Sequence, residues 1–467
     1  MSRRVRAVAS AVAVALVASA HPAHAATSVV NVSRRHASQS EAAVAVDPSN
    51  AQNVVIASNR ESGFGLFVAV SHDGGATWAR RVVGNDDGFG RACCDPSIAW
   101  DGHGNLFLSW LGYATRSYPT VVTIVRSTDA GDTWAPLARI NPPDPARSRT
   151  PLQVRAEEES RGRGVVDQPT ITTGRHALWA TWSVDDTYVE AAGARITSSG
   201  TVRAFGAIER MARSRRCRFG DIAVGPLGDV ALVCERDIER TTPTHAELRI
   251  AFDADGLGPG GFGGTTVVAT TKVSTFEPIA PQRRRTVDAE AGLGWIATGA
   301  NGGRLVLLFT DERPDQSDDT NVVAKVSDDG GATWSSRVAV TAAANAQFLP
   351  RLAVDPTTGH LAAGWHDASL DDGSGAYDTD GVANTDAMYA MSFSADGVTW
   401  STPQMISEGA SNARASGNAI EFGDYTGLAF SAGVAHPAWA DNSNSTADNP
   451  DGTLHAFDVY SAAVAES

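Results

Sequence analysis

The chain has 467 residues, of which 42% are hydrophobic and 45 are glycine, and its formal net charge is −15. An acidic surplus of this size argues against a nucleic-acid partner. Beyond the first residues no apolar run reaches the length of a membrane span, so no membrane association and a monomer are expected.

In chain order, Arg3, Arg4 and Arg6 form a positive start, Ala7 to Ala20 is a short apolar run, and Ala23-His24-Ala25 supplies a small-residue cleavage site. Residues 1–25 read as a signal peptide and residues 26–467 as a single secreted domain. The alternating strand Leu66-Phe67-Val68-Ala69-Val70 then runs into Ser71-His72-Asp73-Gly74-Gly75-Ala76-Thr77-Trp78. The same pattern recurs at Ser127 to Trp134 around Asp129, at Ser327 to Trp334 around Asp329, and in shorter form at Ser394 to Trp400 around Asp396. A short carboxylate can accept the N–H groups of its own turn, glycine admits positive φ, and tryptophan wedges against neighbouring strands. Asp73, Asp129, Asp329 and Asp396 are therefore read as structural.

Around these turns a strand–turn–strand unit repeats at Ala42–Arg60, Pro96–Tyr113, Pro169–Asp185, Gly220–Arg236, Leu293–Arg313, Leu349–Asp367 and Gly423–Asn442. Short strands repeated in this way predict an all-β propeller of four-stranded blades, with seven favoured and six the alternative. The last unit has only three strands of its own. Residues 28–32 can supply the fourth, and pairing the chain ends removes exposed sheet edges.

Four cysteines in an exported chain point to disulfides. Cys217 and Cys234 flank a predicted hairpin and are expected to pair. Cys93 and Cys94 are adjacent, where a direct bridge is uncommon, and their pairing stays open. Their spacing and the lack of histidine partners argue against zinc.

In a propeller the starts of the inner strands and the ends of the second strands converge on one face. Asp95, Asp167, Asp221, Glu290, Arg351 and Asp424 stand at the starts. Arg60, Asp185, Glu235, Arg236, Asp311, Glu312, Arg313, His366, Asp367 and Asp441 stand at the ends. Carboxylates and guanidinia gathered on a concave face suit glycan chemistry: paired acids for cleavage, arginine for anionic sugars. Two arginine-rich stretches, Arg210 to Arg218 and Arg283-Arg284-Arg285, fall on the same face. The loop from Asp371 to Gly381 crowds Asp371, Asp372, Asp378 and Asp380 between glycines, the composition of an oxygen-rich calcium loop. A structural Ca²⁺ is its candidate ligand, and no cofactor is otherwise required.

The turn motif S-x-D-x-G-x-x-W is the Asp box, and the repeat resembles the sialidase-like (bacterial neuraminidase repeat) superfamily over essentially the whole chain after the signal segment. The resemblance implies a glycoside hydrolase of exo-sialidase type acting on an acidic or terminal sugar. It implies an arginine clamp, a tyrosine nucleophile paired with a glutamate, and an aspartate acid/base. On this chain those roles map to Arg60, Arg313 and Arg351 for the clamp, Tyr425 for the nucleophile, Glu235 for its partner and Asp95 for the acid/base, with Asp311 and Asp367 beside the substrate. The first unit opens Ser40-Glu41-Ala42-Ala43-Val44 instead of the family's Arg-Ile-Pro, and the family's sialidases have six blades. Two rivals remain: a non-catalytic propeller that binds glycan or protein, and a uronate lyase using His366 with Arg351 or Arg313.

Overall fold

The computed structural model describes residues 28–113, 119–140, 165–239, 244–297, 303–314 and 316–466, and the expected signal segment lies outside them. The described chain is a β-propeller of seven antiparallel blades. Their inner strands are Ala43–Asp47, Ala92–Trp100, Val166–Gly174, Arg218–Val224, Gly292–Ile296, Gln347–Val354 and Gly427–Ser431. In each blade the second strand pairs with the inner one, and the third with the second. A short helix at Ala413–Ser416 interrupts the pattern before the last blade.

Each second strand is covered on both faces by the neighbouring blades, and its sequence reads as a nearly continuous apolar run for that reason. Ala177–Val184 and Leu361–Asp367 are buried at every position. Trp110, Trp179, Trp182, Trp365 and Trp439 fill the wedges between blades and are under 2% exposed. By contrast the outermost strand of the first blade, Ala79–Val83, begins with exposed residues, as suits a rim.

The ring closes as the chain ends suggested. Val30–Asn31 pairs antiparallel with Asp458–Ser461, with Val30 opposite Ser461 and Asn31 opposite Tyr460. Asp458 clamps the seam, accepting from Asn31 Nδ2 at 2.7 Å and Ser33 Oγ at 2.6 Å.

The Asp-box turns join the third and fourth strands of blades one, two, five and six. In the first, Asp73 accepts from the Thr77 N–H at 2.8 Å, Thr77 Oγ1 at 2.6 Å and Ser71 Oγ at 2.8 Å, while Trp78 Nε1 donates to the Gly75 carbonyl at 2.9 Å. Asp329 repeats the set with Thr333 and Ser327. The threonine hydroxyl, its N–H and the serine hydroxyl hold both carboxyls down to about 2. Asp129 and Asp396 occupy the same place in their turns.

Both cysteine pairs are bridged. Cys217 joins Cys234 across the fourth blade, and Cys93 joins its own neighbour Cys94.

Candidate active site

One backbone device repeats at the top of the ring, where the inner strands begin. In six blades three residues of the inner strand span two of its partner. Ser40 and Ala43 lie opposite Asn59 and Ala57, and Cys94 and Ser97 opposite Leu111 and Ser109. Asp167 and Thr170, Arg218 and Asp221, Ala289 and Gly292, and Phe348 and Arg351 behave alike. Such a bulge re-aims a side chain and is common beside active sites. The residue after the first of each pair adopts left-handed φ: Glu41 (54°), Asp95 (56°), Gln168 (44°), Phe219 (53°), Glu290 (44°) and Leu349 (51°). Gly423, at φ 91°, precedes the last blade's Asp424. A non-glycine residue pays about 1–2 kcal/mol for that conformation, and glycine would remove the strain. The bulges set Glu41, Asp95 and Phe219 at a cavity over the ring, whereas Leu349 is enclosed in the core.

Above the channel lies a mouth cavity of about 420 Å³, lined among others by Glu41, Asn59, Arg60, Asp95, Asp167, Arg285 and Asp424. Its polar groups form one network. Arg285 grips both oxygens of Asp424, with Nε to Oδ1 at 2.5 Å, and reaches Glu41 Oε1 at 2.9 Å. Asn59 donates from its amide nitrogen to Glu41 and accepts the Asp95 N–H at 2.7 Å. Asp95 accepts the Gln168 N–H at 3.2 Å.

Desolvation dominates the electrostatics of this group. Burial, then the charges of Glu41, Asp167 and Asp424, push the Asp95 carboxyl well above its ordinary value. Burial and Asp424 lift Glu41 to about 7 against the pull of Arg285, and burial and Asp424 lift Asp167 to about 6. Carboxyls crowded around one guanidinium cannot all ionise, so the network retains a proton at neutral pH.

Below the mouth, the inner strands enclose a central channel of about 570 Å³. Tyr425 and Arg351 line it, and Arg351 lies 3.7 Å from Glu290. Burial, then the charges of Asp95, Glu41 and Asp424, raise the Tyr425 phenol far above its usual range. A phenol in this setting needs a neighbouring base to act as a nucleophile, and the carboxyls acting on it are those of the mouth rather than Glu235.

The remaining predicted residues are dispersed. Glu235 is fully buried in the fourth blade, accepts the Ala289 N–H at 3.0 Å, and faces Asp288, Asp237 and Arg218; the carboxyls acting most strongly on Tyr425 are Asp95, Glu41 and Asp424. The three clamp arginines do not converge. Arg60 lines the mouth, Arg351 lines the channel, and Arg313 lines neither cavity and stands 3.8 Å from Asp311. Asp311 also accepts the Lys272 N–H at 3.0 Å and meets Arg337 at 3.3 Å. Asp367 is a strand-end brace, accepting from Trp365 Nε1 and the Ser369 N–H, both at 2.8 Å; Asp441 repeats this with Trp439 and Ser443. His366 is buried between Phe348, Tyr389 and Phe422, and burial alone depresses it to about 3. That enclosure takes it away from any substrate.

Of the arginine stretch from Arg210 to Arg218, Arg210 pairs with Glu190 at 2.5 Å and covers the Tyr188 ring, and Arg216 donates to the Glu239 carbonyl. Glu41 and Asn59 are mouth residues that residue-type reasoning left unassigned, whereas Arg285 belongs to the arginine stretch expected on this face and is engaged there by Glu41 and Asp424. The signal for Glu41 was positional, since it holds the bulge place that Asp95 and Glu290 hold in their blades.

On the acidic loop, Asp371, Asp378 and Asp386 bring one carboxylate oxygen each within 4.8 Å of one another. Asp372 instead accepts from Ser374 Oγ, and Asp380 from the Val382 N–H and Thr385 Oγ1, so the grouping exchanges these two for Asp386. Asp371 already accepts the Gly373, Thr385 and Asp386 N–H groups. Among the described residues no helix is long and apolar enough to cross a membrane.

No protein-family model matches the chain, and no curated protein matches its sequence. Solved structures do. A protein of unknown function from Dyadobacter fermentans is similar at 12% identity over 95% of this chain and 99% of its own, with a TM-score of 0.48. The GH93 alpha-L-arabinofuranosidase of Fusarium graminearum is similar at 12% identity over 73% of this chain and 92% of its own, with a TM-score of 0.45. Trypanosoma rangeli sialidase is similar at 11% identity over 91% of this chain and 55% of its own, with a TM-score of 0.42. At such identities the likeness is one of fold.

Proposed function

We propose that this protein is a glycoside hydrolase that removes a terminal sugar in the mouth of the propeller, with Asp95 as general acid and Asp424 as the carboxylate opposing it. The observation that carries the reading is the Asp95–Asn59–Glu41–Arg285–Asp424 network lining the mouth cavity. A general acid must hold its proton near neutral pH, and burial among other carboxyls gives Asp95 that property. Its proton passes to the glycosidic oxygen as the bond to the sugar breaks. Asp424, gripped by Arg285, supplies the negative charge that faces the developing oxocarbenium ion; a water oxygen then bonds to the anomeric carbon and gives its proton to the Asp95 carboxylate, which restores the acid.

The charge balance favours a neutral sugar over an acidic one. Glu41, Asp95, Asp167 and Asp424 share the cavity with Arg60 and Arg285, and Arg285 is already engaged by two of them. The two disulfides suit an oxidising compartment outside the cytoplasm, as the signal segment does. We also propose calcium as a structural ion for Asp371, Asp378 and Asp386.

The test is turnover of a panel of fluorogenic neutral glycosides and a sialoside by the wild-type protein and by Asp95→Asn. Turnover of a neutral glycoside, reduced by about 10²–10⁴ in the variant, is expected. Glycan binding without turnover would reduce the site to a binding module, and an unsaturated product absorbing in the ultraviolet would replace hydrolysis by elimination.

A further inference from the structure

Opposite the carboxylates, the mouth cavity has an aromatic wall. Phe219 and Phe276 both line it, with ring centroids 5.5 Å apart and planes at 86°. Phe219 is only 7% exposed and also borders the channel, so it sits at the junction of the two spaces. Phe276 is 52% exposed.

Two features separate Phe276 from an incidental surface phenylalanine. Its backbone is left-handed, at φ 64°, and Phe219 shares that conformation at 53°. For a bulky aromatic this is a true outlier, and strain of this kind persists only where the surroundings enforce it. The surroundings do enforce it. Thr275 is tied to Asp237 by its N–H at 3.0 Å and its hydroxyl at 2.7 Å, and Glu277 exchanges both backbone bonds with Val287 at 2.7 and 2.8 Å. The guanidinium of Arg218 lies 5.4 Å from the Phe276 centroid and 6.0 Å from that of Phe219. A half-exposed ring is thus held rigidly on both sides, in a strained conformation, at the rim of a polar cavity. Neither the strain nor the exposure helps folding, whereas a fixed ring is a pre-organised surface for a ligand.

We infer that Phe276, backed by Phe219, is the stacking platform for a neutral sugar ring of the substrate, adjoining the unit that Asp95 cleaves. A sugar offers an apolar C–H face to such a ring while its hydroxyls meet the carboxylates across the cavity. Phe276 thereby contributes to specificity through binding rather than through proton transfer. The inference rests on the hydrolase reading for the position of the cleaved unit, but stacking itself does not require turnover.

The experiment is a printed array of neutral, sialylated and uronate glycans, probed with the full chain carrying Asp95→Asn, alone and combined with Phe276→Ala or Phe276→Trp. The best neutral glycan on the array is then titrated calorimetrically. Binding of neutral glycans that weakens at least tenfold in Phe276→Ala and returns in Phe276→Trp is expected. Equal binding in Phe276→Ala, with that variant folded by its far-ultraviolet spectrum, overturns the platform; if Asp95→Asn still lowers turnover by about 10²–10⁴, the hydrolase reading survives. Weakened binding in a protein that never turns over any glycoside keeps the platform and removes the hydrolase. Preference for sialylated or uronate glycans overturns the neutral-sugar assignment.

Discussion

Replacing Glu41 by glutamine separates the electrostatics of the mouth network from its shape. Burial and the charge of Asp424 raise the Glu41 carboxyl from 4.5 to about 7, with Arg285 opposing. In the unfolded chain the same group titrates near its ordinary value. Below pH 4.5 both states hold the proton, and the advantage of the buried neutral acid is fully present. As pH rises toward about 7 the unfolded chain releases its proton first, and that stability is lost. With a little over 1 kcal/mol per pKa unit, the loss between about pH 5 and about pH 8 is on the order of 2–3 kcal/mol. Glutamine retains an acceptor oxygen for Asn59 and does not titrate. The Glu41→Gln variant is therefore expected to decline less between those pH values by that amount, measured by equilibrium urea unfolding followed by tryptophan fluorescence. Parallel pH dependence in the two proteins would refute the desolvation argument for Glu41.

Other outcomes follow from the same geometry. Tyr425→Phe is expected to leave turnover within the about 100-fold that loss of a proton-transfer group costs, because the proposed mechanism places proton transfer on Asp95 and the opposing charge on Asp424; a complete loss in steady-state kinetics would return the nucleophile role to Tyr425. Asp129→Ala removes the acceptor of the Thr133 N–H and hydroxyl, and should lower stability by about 1–2 kcal/mol with kcat unchanged, read by thermal melting beside an activity assay. Calcium added to chelator-treated protein should raise the melting temperature, and Asp386→Asn should cancel the rise; a melting curve indifferent to calcium would leave the acidic loop held by its N–H donors alone.

The architecture was legible because it is written locally and then repeated. An Asp-box turn is complete within eight residues: Ser71, Asp73, Gly75, Thr77 and Trp78 make their bonds to one another. Blade count and closure followed from adding strands, since the last unit lacks a fourth strand and Val30–Asn31 supplies it. The site is the opposite case. Tyr425, Glu235 and Arg313 were grouped by residue type and strand position, yet direction and depth decide what a side chain meets. Arg313 points to Asp311 at the rim, and Glu235 is enclosed against Asp288.

The sequence alone therefore determined the repeated blade, the structural role of the S-x-D-x-G-x-x-W turns and the Cys217–Cys234 bridge, all set by short-range spacing. Only the tertiary structure decided that Glu41, Asp95 and Asp424 share one cavity with Arg285, residues separated by as many as 383 positions. It also joined Cys93 to Cys94 immediately before Asp95. The physical reason is that the bulges setting Glu41 and Asp95 at the mouth are register shifts between strands. Such a shift leaves no mark in the periodicity of either strand, and burial, which sets the proton affinity of the acids, exists only once the ring has closed.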